Sequence, residues 1–273
     1  MRVAGVQFDI LWEDKPANHA EMERLLEQAA IDAGTVVVLP ELGDTGFSFD
    51  LDAIINDTSL EWARGVAERR GIWLQAGFAR LGPDGRGRNC AALVAPDGSL
   101  RGEYQKLHPF TIGREAEHYT GGDALCVLDV DGVAVCPLIC YDLRFPEIWR
   151  LGAAAGAEVF TIGASWPKLR QHHWRSLLVA RAIENQAYVV AVNRVGSDPS
   201  SEYDGGSMII SPQGDILAEA ADSPAVLTAT LDLDALRKWR ESFPALRDVR
   251  RELLGTVDVS RSCADGDTDR DFK

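Results

Sequence analysis

Short runs rich in Val and Ile alternate along the chain with longer stretches whose apolar positions recur at helical spacing, a pattern of buried strands joined by packing helices. Residues 3–8 and 35–39 are predicted strands, the second apolar through Val36-Val37-Val38-Leu39, with a helix over 18–33 between them. A second helix is expected over 61–70. Strands follow at 72–79, 89–95 and 100–104, the last two joined by Pro96-Asp97-Gly98, a strong hairpin signal. The second half repeats the mixture, with a strand at 133–139, a helix near 146–155, a strand at 159–162, a helix over 174–186 and a strand at 188–192. Pro212-Gln213-Gly214 marks another hairpin between 207–211 and 215–218, before a late strand at 226–231 and a short helix at 233–239. The fold class is α/β. A single domain over 1–254 is ordinary for this length, and no internal repeat interrupts it. From 255 to 273 the chain is polar and rich in Asp without apolar periodicity, so a poorly ordered tail is expected there.

Charge narrows the partners. With 42 acidic against 28 basic residues the formal net charge is −14, which disfavours nucleic acid and anionic membranes and leaves a small molecule as the expected partner. No run approaches the roughly 20 apolar residues that span a bilayer. Met1-Arg2-Val3-Ala4-Gly5-Val6 reads as a strand rather than a signal peptide, so a soluble, cytoplasmic protein is expected. The five cysteines are odd in number and lack C-x-x-C pairs, which argues against a disulfide framework. Cys136 and Cys140 are four apart without a second ligand pair, so no metal site is expected, and most of the cysteines read as small buried apolar residues.

Three segments carry candidate chemistry. The apolar strand 36–39 runs into Pro40 and Glu41, placing a carboxylate at the carboxyl end of a strand, where ligands of open α/β sheets gather. Strand 133–139 delivers Cys140 to a turn before Pro146, which suits the first turn of a helix. A thiol so placed is exposed above a sheet, with a helix N-terminus nearby to favour the thiolate. Lys106, in Tyr104-Gln105-Lys106-Leu107-His108, ends a strand and offers a cation to balance Glu41 and an oxyanion. The histidines His19, His108, His118, His172 and His173 leave a Cys–His enzyme as an alternative, although none sits in a recognisable cysteine-protease motif. A non-catalytic binding protein on the same fold is a second alternative.

Taken in order, Pro40-Glu41, Lys106-Leu107-His108 and Cys140-Tyr141-Asp142-Leu143-Arg144-Phe145-Pro146 resemble the nitrilase superfamily of carbon–nitrogen hydrolases, most closely its ω-amidase branch. Gly163-Ala164-Ser165-Trp166-Pro167, Ala180 to Gln186 and Asn193-Arg194-Val195-Gly196 agree with it, and the likeness spans about 3–248. It implies a four-layer α-β-β-α sandwich that dimerises through its α faces, and a Glu–Lys–Cys triad without metal or organic cofactor. Position by position it makes Glu41 the general base, Lys106 the oxyanion stabiliser, Cys140 the nucleophile and the Tyr141 backbone N–H a second oxyanion donor. A further glutamate expected after the lysine falls on Glu115, with Glu117 as the rival. The ω-amidase likeness implies monoamides of small dicarboxylates, such as 2-oxoglutaramate or succinamate; nitriles and N-carbamoyl compounds are the alternatives within the superfamily. An anionic substrate would need local cations, for which Arg144, Lys168, Arg170 and Arg175 are available, and Phe47, Phe110 and Trp166 are expected pocket walls.

Overall fold

A computed structural model of the chain describes residues 1–56, 58–250, 252 and 258–262. Strands β1 (Arg2–Gln7), β2 (Val36–Val38), β3 (Trp73–Leu81), β4 (Gly87–Val94) and β5 (Leu100–Gln105) are interleaved with helices α1 (Lys15–Gln28), α2 (Leu51–Ile54) and α3 (Thr58–Arg70). After the short α4 (Glu115–His118) come β6 (Ala124–Val130), β7 (Val133–Ile139), α5 (Pro146–Ala154), β8 (Val159–Ala164), α6 (Gln171–Glu184) and β9 (Tyr188–Asn193). Further on lie β10 (Val195–Ser197), β11 (Glu202–Asp204), β12 (Met208–Ile210), β13 (Ile216–Glu219), β14 (Ala225–Thr230), α7 (Leu233–Ser242) and β15 (Asp258–Ser262).

Two mixed sheets result, ordered β14-β1-β2-β3-β4-β5 and β13-β12-β9-β8-β7-β6-β15, beside a small β10-β11 ribbon. They pack face to face, β1 on β9, β2 on β8, β4 on β7 and β5 on β6. Helices α1 and α3 cover the outer face of the first sheet and α5 and α6 that of the second, so the molecule is a four-layer α-β-β-α sandwich. Strand β2 shows why its sequence is continuously apolar. Val36 and Val38 enter the core between the sheets while Val37 packs under the helices with Met22, Leu26 and Val66, so both of its faces are buried. Among the described residues no helix is long and apolar enough to cross a membrane.

Several boundaries move for local reasons. Helix α1 begins ahead of the expected residue 18 because Asp14 caps it, accepting from the Ala17 N–H at 3.1 Å, and Pro16 suits its first turn. Strand β6 was not foreseen, yet it forms a hairpin with β7 across Asp131 and Gly132, both at positive φ as a tight hairpin turn requires. The short α2, α4, β10 and β11 were also unforeseen. Within the expected tail at 255–273, residues 258–262 form β15, paired in parallel with β6; the other residues of that segment lie outside the described ones.

Candidate active site

The carboxyl ends of β2, β5, β7 and β8 and the start of β4 meet at one edge of the sandwich, and there Glu41, Lys106, Glu115 and Cys140 come together. The Glu41 backbone threads between two glycines, one from each sheet. A Cβ on Gly77 would stand 2.5 Å from the Pro40 carbonyl oxygen, and one on Gly163 2.5 Å from that of Leu39. Only residues without side chains admit the loop at both places.

Lys106 Nζ donates to Glu41 Oε1 at 2.6 Å and to Glu115 Oε2 at 2.8 Å. Asn89 Nδ2 donates to Oε1 of both carboxylates, at 2.8 Å and 2.9 Å respectively. Backbone N–H groups complete the set: Ser165 donates to Glu41 Oε2 at 2.9 Å and Phe110 to Glu115 Oε2 at 2.6 Å. None of these four side chains is more than 2% exposed, so the ion pairs are dry and their charges depend on one another. Burial works against the Lys106 ammonium, but the Glu115 and Glu41 carboxylates more than offset it and hold its pKa well above the ordinary lysine value. Burial raises the Glu115 pKa, with Lys106 opposing and the Glu41 charge adding to the rise. The rival Glu117 is exposed and pairs with Arg114 instead.

Cys140 follows β7 directly, with φ at +44°, and opens a 3-10 turn over Cys140–Arg144 before α5 starts at Pro146. Asp142 fastens that turn. Its buried carboxylate accepts from the Ile139 N–H and the Tyr104 hydroxyl on one oxygen, and from the His108 backbone N–H on the other, which also lies 2.9 Å from His108 Nδ1. The loop that carries Lys106 is thereby tied to the turn that carries Cys140. The thiol lies beside the Glu41 carboxylate, the Lys106 ammonium and the Ser165 backbone. Its environment corrects the expectation that a helix end favours the thiolate: α5 begins six residues further on, and burial together with the Glu41 charge pushes the thiol well above its ordinary pKa, Lys106 opposing. Tyr141 sits in the first turn of the 3-10 segment, where backbone N–H groups have no intrahelical acceptor.

A cavity of about 640 Å³ opens onto Glu41, Lys106 and Cys140, and Phe47, Phe110, Tyr141, Arg144 and Trp166 line it. The Phe47 ring lies 5.4 Å from Lys106 Nζ, and Phe110 meets Tyr141 edge-on at 4.9 Å. The Arg144 guanidinium lies over Trp166 at 4.7 Å, and a nitrogen of it is 3.2 Å from His173 Nδ1; Arg170 lies over Phe110 at 5.4 Å. Among the described residues neither arginine has a carboxylate within ion-pair distance, and burial and the nearby Arg170 lower the Arg144 pKa. Of the other cations considered, Lys168 pairs with Asp204 and Arg175 with Glu219, and neither lines the cavity. Sequence reasoning missed Asn89, the Ser165 N–H and the walls Trp12, Phe49 and Tyr203. Ser165 lay inside a stretch already singled out, but a backbone donor leaves no mark in residue type. His19 is stacked on Trp62 at 4.2 Å, and burial lowers its pKa to about 4.

The carbon-nitrogen hydrolase family model matches residues 2–241. A 2-oxoglutaramate amidase of Bacillus subtilis (strain 168) is 36% identical over 255 residues, covering 92% of this chain and 98% of that protein. The omega-amidase YafV of Escherichia coli (strain K12) is 38% identical over 252 residues, 91% of this chain and 96% of that one. Among solved structures, XC1258 from Xanthomonas campestris, a CN-hydrolase superfamily protein with an arsenic adduct in its active site, superposes with a TM-score of 0.84 at 32% identity, over 91% of this chain and 97% of its own.

Proposed function

The chain belongs to the carbon–nitrogen hydrolase family, and on that premise we propose that it is an amidase releasing ammonia from the ω-amide of a small dicarboxylate through a thioester on Cys140. The observation that carries this reading is the dry Glu41–Lys106–Glu115 cluster against the Cys140 thiol, at the floor of a cavity that also holds Arg144 and Arg170 without carboxylate partners.

Because the thiol holds its proton tightly, attack and deprotonation are coupled: Glu41 takes the proton as sulfur bonds to the amide carbon. The oxyanion then faces the buried Lys106 ammonium and the Tyr141 N–H at the floor of the cavity. Glu41 passes its proton to the nitrogen, the C–N bond breaks, and ammonia leaves. Water, deprotonated by Glu41, attacks the thioester; the C–S bond breaks and the thiol and a carboxylate are regenerated. Glu115 keeps the ammonium of Lys106 in place throughout. Arg144, lying over Trp166, and Arg170 offer charge-assisted hydrogen bonds to the distal carboxylate. The names of the two amidase relatives support the same substrate class.

Ammonia release over a panel of ω-amides, their methyl-capped analogues, nitriles and N-carbamoyl compounds tests this. The free ω-amides should be preferred, and Arg144→Gln should raise their KM about 10–100-fold, the equivalent of one or two charge-assisted hydrogen bonds. Equal turnover of capped and free amides, or turnover of nitriles alone, would contradict the reading.

A further inference from the structure

One buried group in the cluster is unused by these steps. Asn89, near the start of β4, puts a single nitrogen against both carboxylates, 2.8 Å from Glu41 Oε1 and 2.9 Å from Glu115 Oε1. The orientation of an amide is ordinarily a matter of assignment, but both neighbours here are acceptors and only the nitrogen can face them. Its oxygen is buried without a hydrogen-bond partner among the described residues, an unfavourable arrangement tolerated for the sake of where the nitrogen sits.

We propose that Asn89 is a positioning residue that selects which oxygen of Glu41 exchanges protons. This rests on the reading of Glu41 as base and Cys140 as nucleophile. Oε1 receives both Lys106 Nζ and Asn89 Nδ2, which fill its two lone pairs. Oε2 receives, among the described residues, only the Ser165 N–H and keeps a lone pair for the thiol proton. Asn89 also holds the Glu115 oxygen that Lys106 does not, so Lys106 spends two N–H bonds on the carboxylates and has its third left for the oxyanion. Two carboxylates against one ammonium leave the cluster a positive charge short, and Asn89 supplies donors there without adding a charge. Without it Glu41 is held by Lys106 and the Ser165 N–H alone, one Oε1 lone pair is open to the thiol proton, and Lys106 is drawn further to the carboxylates.

The test compares Asn89→Ala, Asn89→Ser and Asn89→Asp with wild type and Cys140→Ala, reading ammonia release against pH and thermal unfolding in parallel. In N89A and N89S kcat should fall about 10–100-fold, as for other residues that orient reacting groups, with KM little changed and the acid limb of kcat/KM moved to higher pH. N89D keeps the size of the side chain but sets a third carboxylate against the other two, so its kcat should fall further. Wild-type kcat in N89D or in a folded N89A or N89S would overturn the proposal, as would a loss of kcat with an unmoved pH profile, which is the behaviour of a merely structural amide. An active C140A would remove the reading beneath the proposal, an outcome that no result on Asn89 can mimic.

Discussion

Lys106 is worth more by its absence than by the two ion pairs it forms, because without it two buried carboxylates face each other unneutralised. Lys106→Met should therefore cost about 3–5 kcal/mol, read from denaturant midpoints, as well as activity. Adding Glu115→Gln should restore part of that stability and none of the turnover; a K106M protein as stable as wild type would contradict the dry cluster. Proton linkage gives a second residue-scale prediction. Lys106 and Cys140 both have folded pKa values raised above their unfolded ones, so the folded state binds more protons in that range. Their contribution to stability is complete below the ordinary cysteine value of 9.0 and is lost as pH rises above it. Midpoints that rise with pH in that alkaline window would be inconsistent with these shifts.

Among the elements, the strand–turn–helix at β7 and α5 concentrates the strain of the site, since Cys140 holds a left-handed conformation that costs a residue with a Cβ about 1 kcal/mol relative to glycine. Cys140→Gly and Cys140→Ala should both be inactive, but the glycine variant should be the more stable by about 1 kcal/mol in the same denaturant series. A less stable glycine variant would argue that the turn is unstrained. Strand β7 was legible in the sequence to the residue because its apolar run is continuous, whereas Glu41, Lys106 and Cys140 each follow a strand end and stood out only through the order of their motifs, which resembles the nitrilase superfamily. Strand β6 went unread although Asp131-Gly132 marks its hairpin with β7. Asn89 was hidden inside a predicted strand, and its role depends on two carboxylates brought to it by other loops, which periodicity cannot reveal. The resemblance favoured Glu115 over Glu117, and local backbone geometry sets the two apart. Arg114 takes a left-handed conformation just before α4, and it is Glu115 that is then buried against Lys106.

At the scale of the whole molecule the two sheets cannot be separated by any cut in the chain. Strand β14, which follows β13 of the second sheet, pairs with β1 of the first, and the Met1 ammonium donates to the Leu231 carbonyl oxygen. A shared core between the sheets makes a single cooperative unfolding transition the expectation in calorimetry, and two resolved transitions would contradict it. That closed sandwich is also what buries the Glu41–Lys106–Glu115 cluster and the Cys140 thiol beside it. On the proposed mechanism amide hydrolysis passes through a thioester on Cys140. The most direct measurement is peptide-mapped mass spectrometry of the enzyme acid-quenched during turnover of an ω-amide. The expected result is a mass increment equal to the substrate less ammonia, confined to the Cys140 peptide and absent in C140A; full turnover with no such adduct, or with C140A as active as wild type, would contradict it.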